Sequence, residues 1–275
     1  MIRFDIDTGA ASTEYFIAKG YAVVFLHRIH SLLPYSRRFA VQLHKANILD
    51  FLTECPSTGE VHVISEFQEH VKTALLSYEN AKQNRMLLSI PFLSVQDYLF
   101  LLRAITVEMQ AAGKSALIYA AAAVSDYFLP RERTVRGGQQ VMMQRALRWF
   151  LADAWRSLRA QAEHKIQSSS EPLNIRLDPV PKMLGVLTSV WLPEGYVISF
   201  KLETDPALLE YKAKRALSNY GVRLVIGNLL SSYRHEVHYY THEGHTPILL
   251  PGAGDIEEQM VDAIVERHTQ FAEAH

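Results

Sequence analysis

Four short apolar runs, each entered from a helical or turn-forming segment, set the limits on how this chain folds: "AVVFL" at 22–26, "SALIYAAAAVS" at 115–125, "GYVISFKLET" at 195–204 and "VRLVIGNLL" at 222–230. Runs this short and nearly continuous in apolar side chains suit strands buried on both faces, the pattern of a parallel sheet covered by helices. The fold class expected is therefore α/β, doubly wound, with a mainly parallel sheet.

The stretches between these runs are punctuated. In "ETDPALLEYKAKRALSNYG", Asp205 stands at a helix N-cap, Pro206 at the first helical position and Gly221 just past the end, which predicts a helix over 206–220. "EVHYYTHEGHTPILL" predicts a C-terminal hairpin turning at Glu243-Gly244, and "DIEEQMVDAIVERHTQFAEA" a closing amphipathic helix. Residues from about 66 to 112 carry long helical patterns and predict a helical excursion between two strands. After Gly137-Gly138, the spacing of Leu147, Phe150, Leu151, Ala154 and Leu158 predicts an inserted helix over about 139–162. That face packs on the body or binds a partner. With no repeat and no low-complexity linker, residues 1–275 are expected to form a single domain.

Charge narrows the function classes. Lys plus Arg number 28 and Asp plus Glu 29, a formal charge of -1. Such a chain has no long-range field to gather nucleic acid or an anionic membrane, so neither is an expected partner, and any anionic ligand must be caught locally. No run of about 18 apolar residues suggests a membrane span, and "MIRFDIDTGAAS" lacks the regions of a signal peptide. Cys55 is the only cysteine, which excludes an internal disulfide and favours a reducing compartment, so a cytoplasmic location is expected. Its reading as incidental is preferred over a nucleophile.

Several stretches carry candidate chemistry. In "AAAAVSDYFLP" the small residues Ala122 and Ala123 let a ligand approach the backbone at a strand end, and Asp126 accepts a hydrogen bond from its hydroxyl or amide. Equally, the alanines let a helix pack closely while Asp126 caps a turn. "HKIQSSSEP" sets Lys165 beside Gln167, Ser168 and Ser169, a cation among donors suited to phosphate or carboxylate oxygens, or a solvated surface lysine. "SFKLETDP" places Phe200 and Lys201 at a strand end leading into a helix, where a ring stacks on a base and the helix N-terminus favours anions. The plainer account is a core phenylalanine and an exposed lysine. In "VIGNLL", Asn228 suits an amide that reads a base or a ribose, or an ordinary turn. His235, His238, His242 and His245 gather near the C-terminus without the HExxH spacing, so no metal site is expected there.

Seven segments in order, "STEYFIAKGYAVVFLHR", "SLLPYSRRF", "AAAVSDYFLP", "HKIQSSSEPL", "VPKMLGVL", "VISFKLETDPALL" and "VIGNLL", resemble the phosphopantothenate–cysteine ligases of the eukaryotic type. The resemblance implies a Rossmann-like homodimer that uses ATP, with Mg2+, to join 4'-phosphopantothenate to cysteine through an acyl-adenylate in coenzyme A biosynthesis. By the same resemblance, Ala122, Ala123 and Asp126 hold the pantothenate moiety and Lys165 stands near the reacting phosphate and carboxylate. Gly9, Phe200 and Asn228 match nucleotide-contacting positions, with Lys201 adjacent. The family's glycine-rich opening, of the "VTSGGT" kind, has no counterpart before "IRFDIDTGAAS", so an unpaired sheet edge is expected where its strand would lie. An alternative expectation is a truncated or degenerate member that binds substrate or a partner subunit without turnover.

Overall fold

The computed structural model describes residues 8–37, 39, 47–122, 127–128, 178–180, 182–250, 252 and 254–274. The chain divides into two compact units, Met1–Ala123 with Met183–His275, and Val124–Lys182. Of the second unit, the strands β6 (Tyr127–Phe128) and β7 (Asp178–Pro179) are described, paired antiparallel. The inserted helix expected over 139–162 lies outside the described residues.

The first unit opens with α1 (Thr8–Ala18) and β1 (Val23–Arg28), followed by a small hairpin, β2 (Leu52–Glu54) and β3 (Val61–Val63). Next come α2 (Ser65–Gln83), β4 (Leu87–Phe92), α3 (Val95–Met109) and β5 (Leu117–Ala120). The expected helical excursion is thus corrected: β4 interrupts it and pairs parallel with β1, Val23 opposite Leu87 through Arg28 opposite Phe92. "LLSIPF" is a short apolar run whose periodicity does not separate strand from helix. Its Pro91 is tolerated because, among the described residues, β4 bonds to β1 alone, leaving an edge that needs no donor.

Beyond β5 lie α4 (Met183–Val186) with a π-turn over Leu187–Trp191, β8 (Tyr196–Glu203), α5 (Pro206–Tyr220) and β9 (Leu224–Leu229). The chain closes with β10 (Glu236–Tyr240), β11 (His245–Leu249) and α6 (Ile256–Glu273). The caps of α5 stand as expected: Asp205 accepts the Ala207 N–H at 2.9 Å, Pro206 is the first residue, and Gly221 adopts φ +65°. The hairpin also forms, with its reversal spread over 241–244, where the Thr241 N–H meets the Gly244 carbonyl at 2.9 Å.

The sheet is in two pieces. β5, β8 and β9 run parallel, and β10 and β11 continue antiparallel to give the order β11-β10-β9-β8-β5; β1 and β4 form a separate pair. Among the described residues, β1 and β5 each keep one edge without a strand partner. One helix lies against both pieces: in α1, Gly9 sits by Phe25 of β1, while Ser12 Oγ meets Tyr119 Oη of β5 at 2.9 Å. The Phe16 ring also packs edge-on to Tyr119 at 5.5 Å.

Apolar side chains cover both faces of the larger piece. Ile118, Val197 and Val225 pack with Trp191, Leu192 and the α5 stripe Leu209, Ala213 and Leu217. On the other face Ile198, Leu224 and Ile226 pack with Phe16 of α1 and Ile256, Met260 and Ile264 of α6. Each Val, Leu, Ile, Phe or Met among these contributes about 1.5–3 kcal/mol when fully buried. α6 is further tied by His268, which is 4% exposed; its Nδ1 lies 2.7 Å from Tyr21 Oη and its Nε2 3.0 Å from the Lys114 carbonyl. The carbonyl fixes the proton on Nε2, so Nδ1 accepts from the tyrosine.

Burial lowers the His268 pKa, against a smaller opposing effect of the Lys114 carbonyl. The folded value then lies below the unfolded value of about 6.5, so acid favours the unfolded chain. Stability is expected to be full above that unfolded value and to decline as pH falls from it towards the folded one. Thermal melts between neutral pH and pH ~5 check this: His268→Gln should have a shallower decline than the wild type, and equal slopes would exclude the effect.

Candidate active site at the carboxyl end of the sheet

β5 stops at Ala120, opposite Ser199, whereas β8 and β9 run on to Glu203 and Leu229. The carboxyl ends of the strands are the usual place for a ligand in an open parallel sheet. The Ala121 N–H turns back to the Tyr119 carbonyl at 3.0 Å, so the chain leaves the ladder there, and Ala122 is exposed. Ala123, Asp126 and Lys165 lie outside the described residues.

Strand pleating sorts the other candidates. Phe200 pairs in register with Ile226, and Leu202 with Asn228, so Phe200 and Asn228 share the face covered by α1 and α6. Lys201 pairs with Gly227 and belongs to the opposite face. The two neighbours "FK" therefore serve different sides of the sheet. Phe200 is held edge-on against Tyr119 at 4.9 Å, a contact that leaves little freedom to its ring. The side-chain oxygen of Asn228 is closed to solvent and has no hydrogen-bond partner. A buried acceptor in that condition invites a donor from a ligand.

Lys201 is engaged elsewhere. Glu203, with a side chain only 13% exposed, receives Lys212 Nζ at 2.7 Å and stands 3.6 Å from Lys201 Nζ. The resulting cluster carries one net positive charge. Gly227 is explained by packing rather than by a turn: a Cβ there would stand 2.8 Å from Tyr240 and 3.1 Å from Leu209, so its hydrogen lets α5 and β10 close on the strand just before Asn228.

Gly9 is the second residue of α1, with its carbonyl accepting the Thr13 hydroxyl at 2.8 Å. The first N–H groups of such a helix have no intrahelical acceptor and favour anions. What holds this end in place went unread in the sequence beyond the motif "SLLPYSRRF". Arg37, its side chain 3% exposed, donates from Nε to Glu14 at 3.0 Å and from its terminal nitrogen to Asp255. Tyr15 donates to Asp255 at 3.0 Å, and the Tyr35 N–H reaches Glu14 at 2.6 Å from a backbone with φ +67°. Burial and then the Asp255 charge push the Tyr15 phenol up to about 12. One guanidinium thus joins α1, the segment after β1 and the N-cap of α6. The only sign in the sequence was a pair of arginines in a loop.

The remaining singled-out residues stand apart from this end. Cys55 lies in the β2–β3 turn 3.2 Å from Ser57 Oγ, and hydrogen bonds from Ser57 and Thr58 bring its thiol down to about 6. His238 Nδ1 and His245 Nε2 converge at 2.9 Å across the hairpin, closer than the spacing alone led us to expect. Among the described residues there is no group of three or more His, Cys, Asp or Glu suited to a metal ion.

Parallel strands β5, β8 and β9 with helices on both faces, α5 on one and α1 and α6 on the other, define a Rossmann-like protein, a class in which ligands are usually taken at the strand ends. No family model matches the sequence. The chain is 38% identical over 263 residues to phosphopantothenate–cysteine ligase 2 of Oryza sativa, covering 95% of this chain and 72% of the relative. It is 35% identical over 274 residues to the human phosphopantothenate–cysteine ligase, covering 96% and 78%. A solved structure of a Cab2 mutant in complex with phosphopantothenate-cysteine superposes with a TM-score of 0.76 at 33% identity, over 96% of this chain and 78% of that one. The chain belongs to the phosphopantothenate–cysteine ligase family.

Proposed function

We infer that this protein joins 4'-phosphopantothenate to cysteine at the expense of ATP, a step of coenzyme A biosynthesis. The observation that carries the reading is the identity of 35–38% with ligases of that name over about 95% of the chain. Physically, a carboxylate is a poor electrophile at neutral pH. The substrate carboxylate oxygen attacks the α-phosphorus of ATP, and the bond to pyrophosphate breaks. The cysteine amine then attacks the acyl carbon, loses a proton and expels AMP, leaving the amide.

The residues divide the work. Phe200 offers a ring face or edge to the base, and the Asn228 oxygen accepts from its exocyclic amine. That amine exists on adenine and cytosine alike, so ATP is preferred here on the resemblance to the eukaryotic enzymes. Gly9 brings the α1 N-terminus to the phosphates, and Lys201 contributes its positive charge through the Glu203 cluster on the other face. The backbone at Ala122 and Ala123, with Asp126, holds the pantothenate chain, and Lys165 offsets charge developing at the reacting phosphate. Magnesium, which shields phosphate charge when bound, would be held chiefly by the nucleotide's own oxygens, since the described side chains offer no acidic cage. A homodimer in the cytoplasm, with residues 1–275 acting as one functional domain, completes the proposal; the lone Cys55 fits a reducing compartment.

A second reading, binding of substrate or a partner subunit without turnover, is favoured by the division of the sheet between β1 and β5. One assay separates the two. Purified protein with ATP and Mg2+ should release AMP and pyrophosphate only when both phosphopantothenate and cysteine are present. Calorimetric binding of phosphopantothenate with no AMP formed would establish the second reading in its substrate-binding form, and no binding of phosphopantothenate would refute that form together with the ligase.

A further inference from the structure

Ser199 sits in the middle of β8 with apolar neighbours on its face of the sheet: Val197 two residues earlier, Ala120 of β5 and Val225 of β9. It is 7% exposed, and its hydroxyl is closed to solvent and without a hydrogen-bond partner among the described residues. Nothing in the ladder calls for an oxygen there. Alanine would fit the same space, and a buried hydroxyl that has given up water for no partner destabilises the state that contains it. Such a group is explained if its partner arrives in a different state of the protein.

The placement indicates which state. Ser199 lies level with the last residue of β5, where the backbone leaves β8 through the bond from the Ala121 N–H to the Tyr119 carbonyl. A bond spanning two residues is a tight, weak turn that a small movement undoes. Ala121 and Ala122, with side chains too small to obstruct, are the next groups along the chain from the residue that faces Ser199. Asn228, with the other orphaned oxygen, lies on the opposite face with Phe200.

We propose that Ser199 is a positioning residue for the acid substrate: its hydroxyl donates to a carbonyl of the Ala121–Ala122 backbone when that segment closes over bound phosphopantothenate. The proposal rests on the functional reading above and adds to it a residue outside the resemblance-derived set. In the free protein the hydroxyl waits unpaired; on binding, one neutral hydrogen bond is gained. Nucleotide binding on the other face is not coupled to it.

The test compares Ser199→Ala with the wild type. In the free protein the melting temperature should be unchanged or higher, because no bond is lost. The KM for phosphopantothenate should rise about tenfold, the effect of one hydrogen bond, and the rise in melting temperature on adding phosphopantothenate should shrink. The KM for ATP should not move. An unchanged KM for phosphopantothenate in the variant, with the wild type binding normally, would overturn the proposal alone. So would a lower melting temperature of the free variant, which would show the hydroxyl already bonded. A wild type that binds no phosphopantothenate would overturn the functional reading and this proposal together.

Discussion

Replacing Arg37 with alanine is expected to lower the midpoint of thermal unfolding by roughly 6–12 °C, the largest stability effect among single substitutions considered for this chain. The side chain is 3% exposed and meets two carboxylates, those of Glu14 and Asp255, themselves 17% and 28% exposed. Truncation removes the guanidinium that bridges these two carboxylates in a poorly hydrated place. Breaking a buried pair in this way costs about 3 kcal/mol, at the low end of the usual range because water reaches the carboxylates in part. For a domain of this size each kcal/mol moves the midpoint by about 2–4 °C. Arg37→Lys should recover only part of the loss, since an ammonium cannot reproduce the forked contact to both partners. Calorimetric melts of the two variants check this, and a fall of under about 2 °C for Arg37→Ala would show that the network does not hold α1. Because α1 carries Gly9 at its N-terminus, the same variant should also bind ATP more weakly.

Removal of the Lys165 amine is expected to be the most damaging single change to activity. On the proposed mechanism this lysine offsets negative charge that builds up on the phosphoryl oxygens as pyrophosphate departs, charge that is greater in the transition state than in bound ATP. Interactions of that kind appear in kcat rather than in KM. Loss of one such donor costs about 10²–10³ in rate. Lys165→Ala should therefore form AMP and pyrophosphate at least ~100-fold more slowly, with the KM values for ATP and phosphopantothenate little altered. Initial rates of pyrophosphate release, with melting temperature as a control for folding, decide it. Full activity would remove Lys165 from the site, whereas a raised KM with unchanged kcat would make it a ground-state binding residue instead.

Legibility differed from element to element for physical reasons. The α5 helix was readable to the residue because Asp205, Pro206 and Gly221 act on their own backbone and need no distant partner. β8 and β9 were readable as buried strands from continuous apolar runs. β4 was not, because six residues with a proline match no single period and become a strand only by bonding to β1, more than 60 residues away by register. In the site, Phe200 and Asn228 were nominated from separate segments, but their common face depends on the parallel register of β8 with β9. The same register separates Lys201 from Phe200, its neighbour in the chain. His238 and His245 likewise met only once the hairpin register set His245 opposite Tyr240.

By itself the sequence determined the α/β class, the caps of α5, the C-terminal hairpin and, through seven ordered segments, the family. These rest on local backbone preference or on the identity of residues, both present in one dimension. Only the tertiary structure decided which side chains share a face, that the sheet is divided between β1 and β5, and that Arg37 binds two carboxylates from distant segments. It alone left Ser199 and Asn228 with buried oxygens lacking partners. The reason is that pairing, burial and desolvation are properties of neighbours in space. A serine in a strand reads the same whether its hydroxyl is bonded or not, and the energy that marks it as functional exists only after its surroundings have closed.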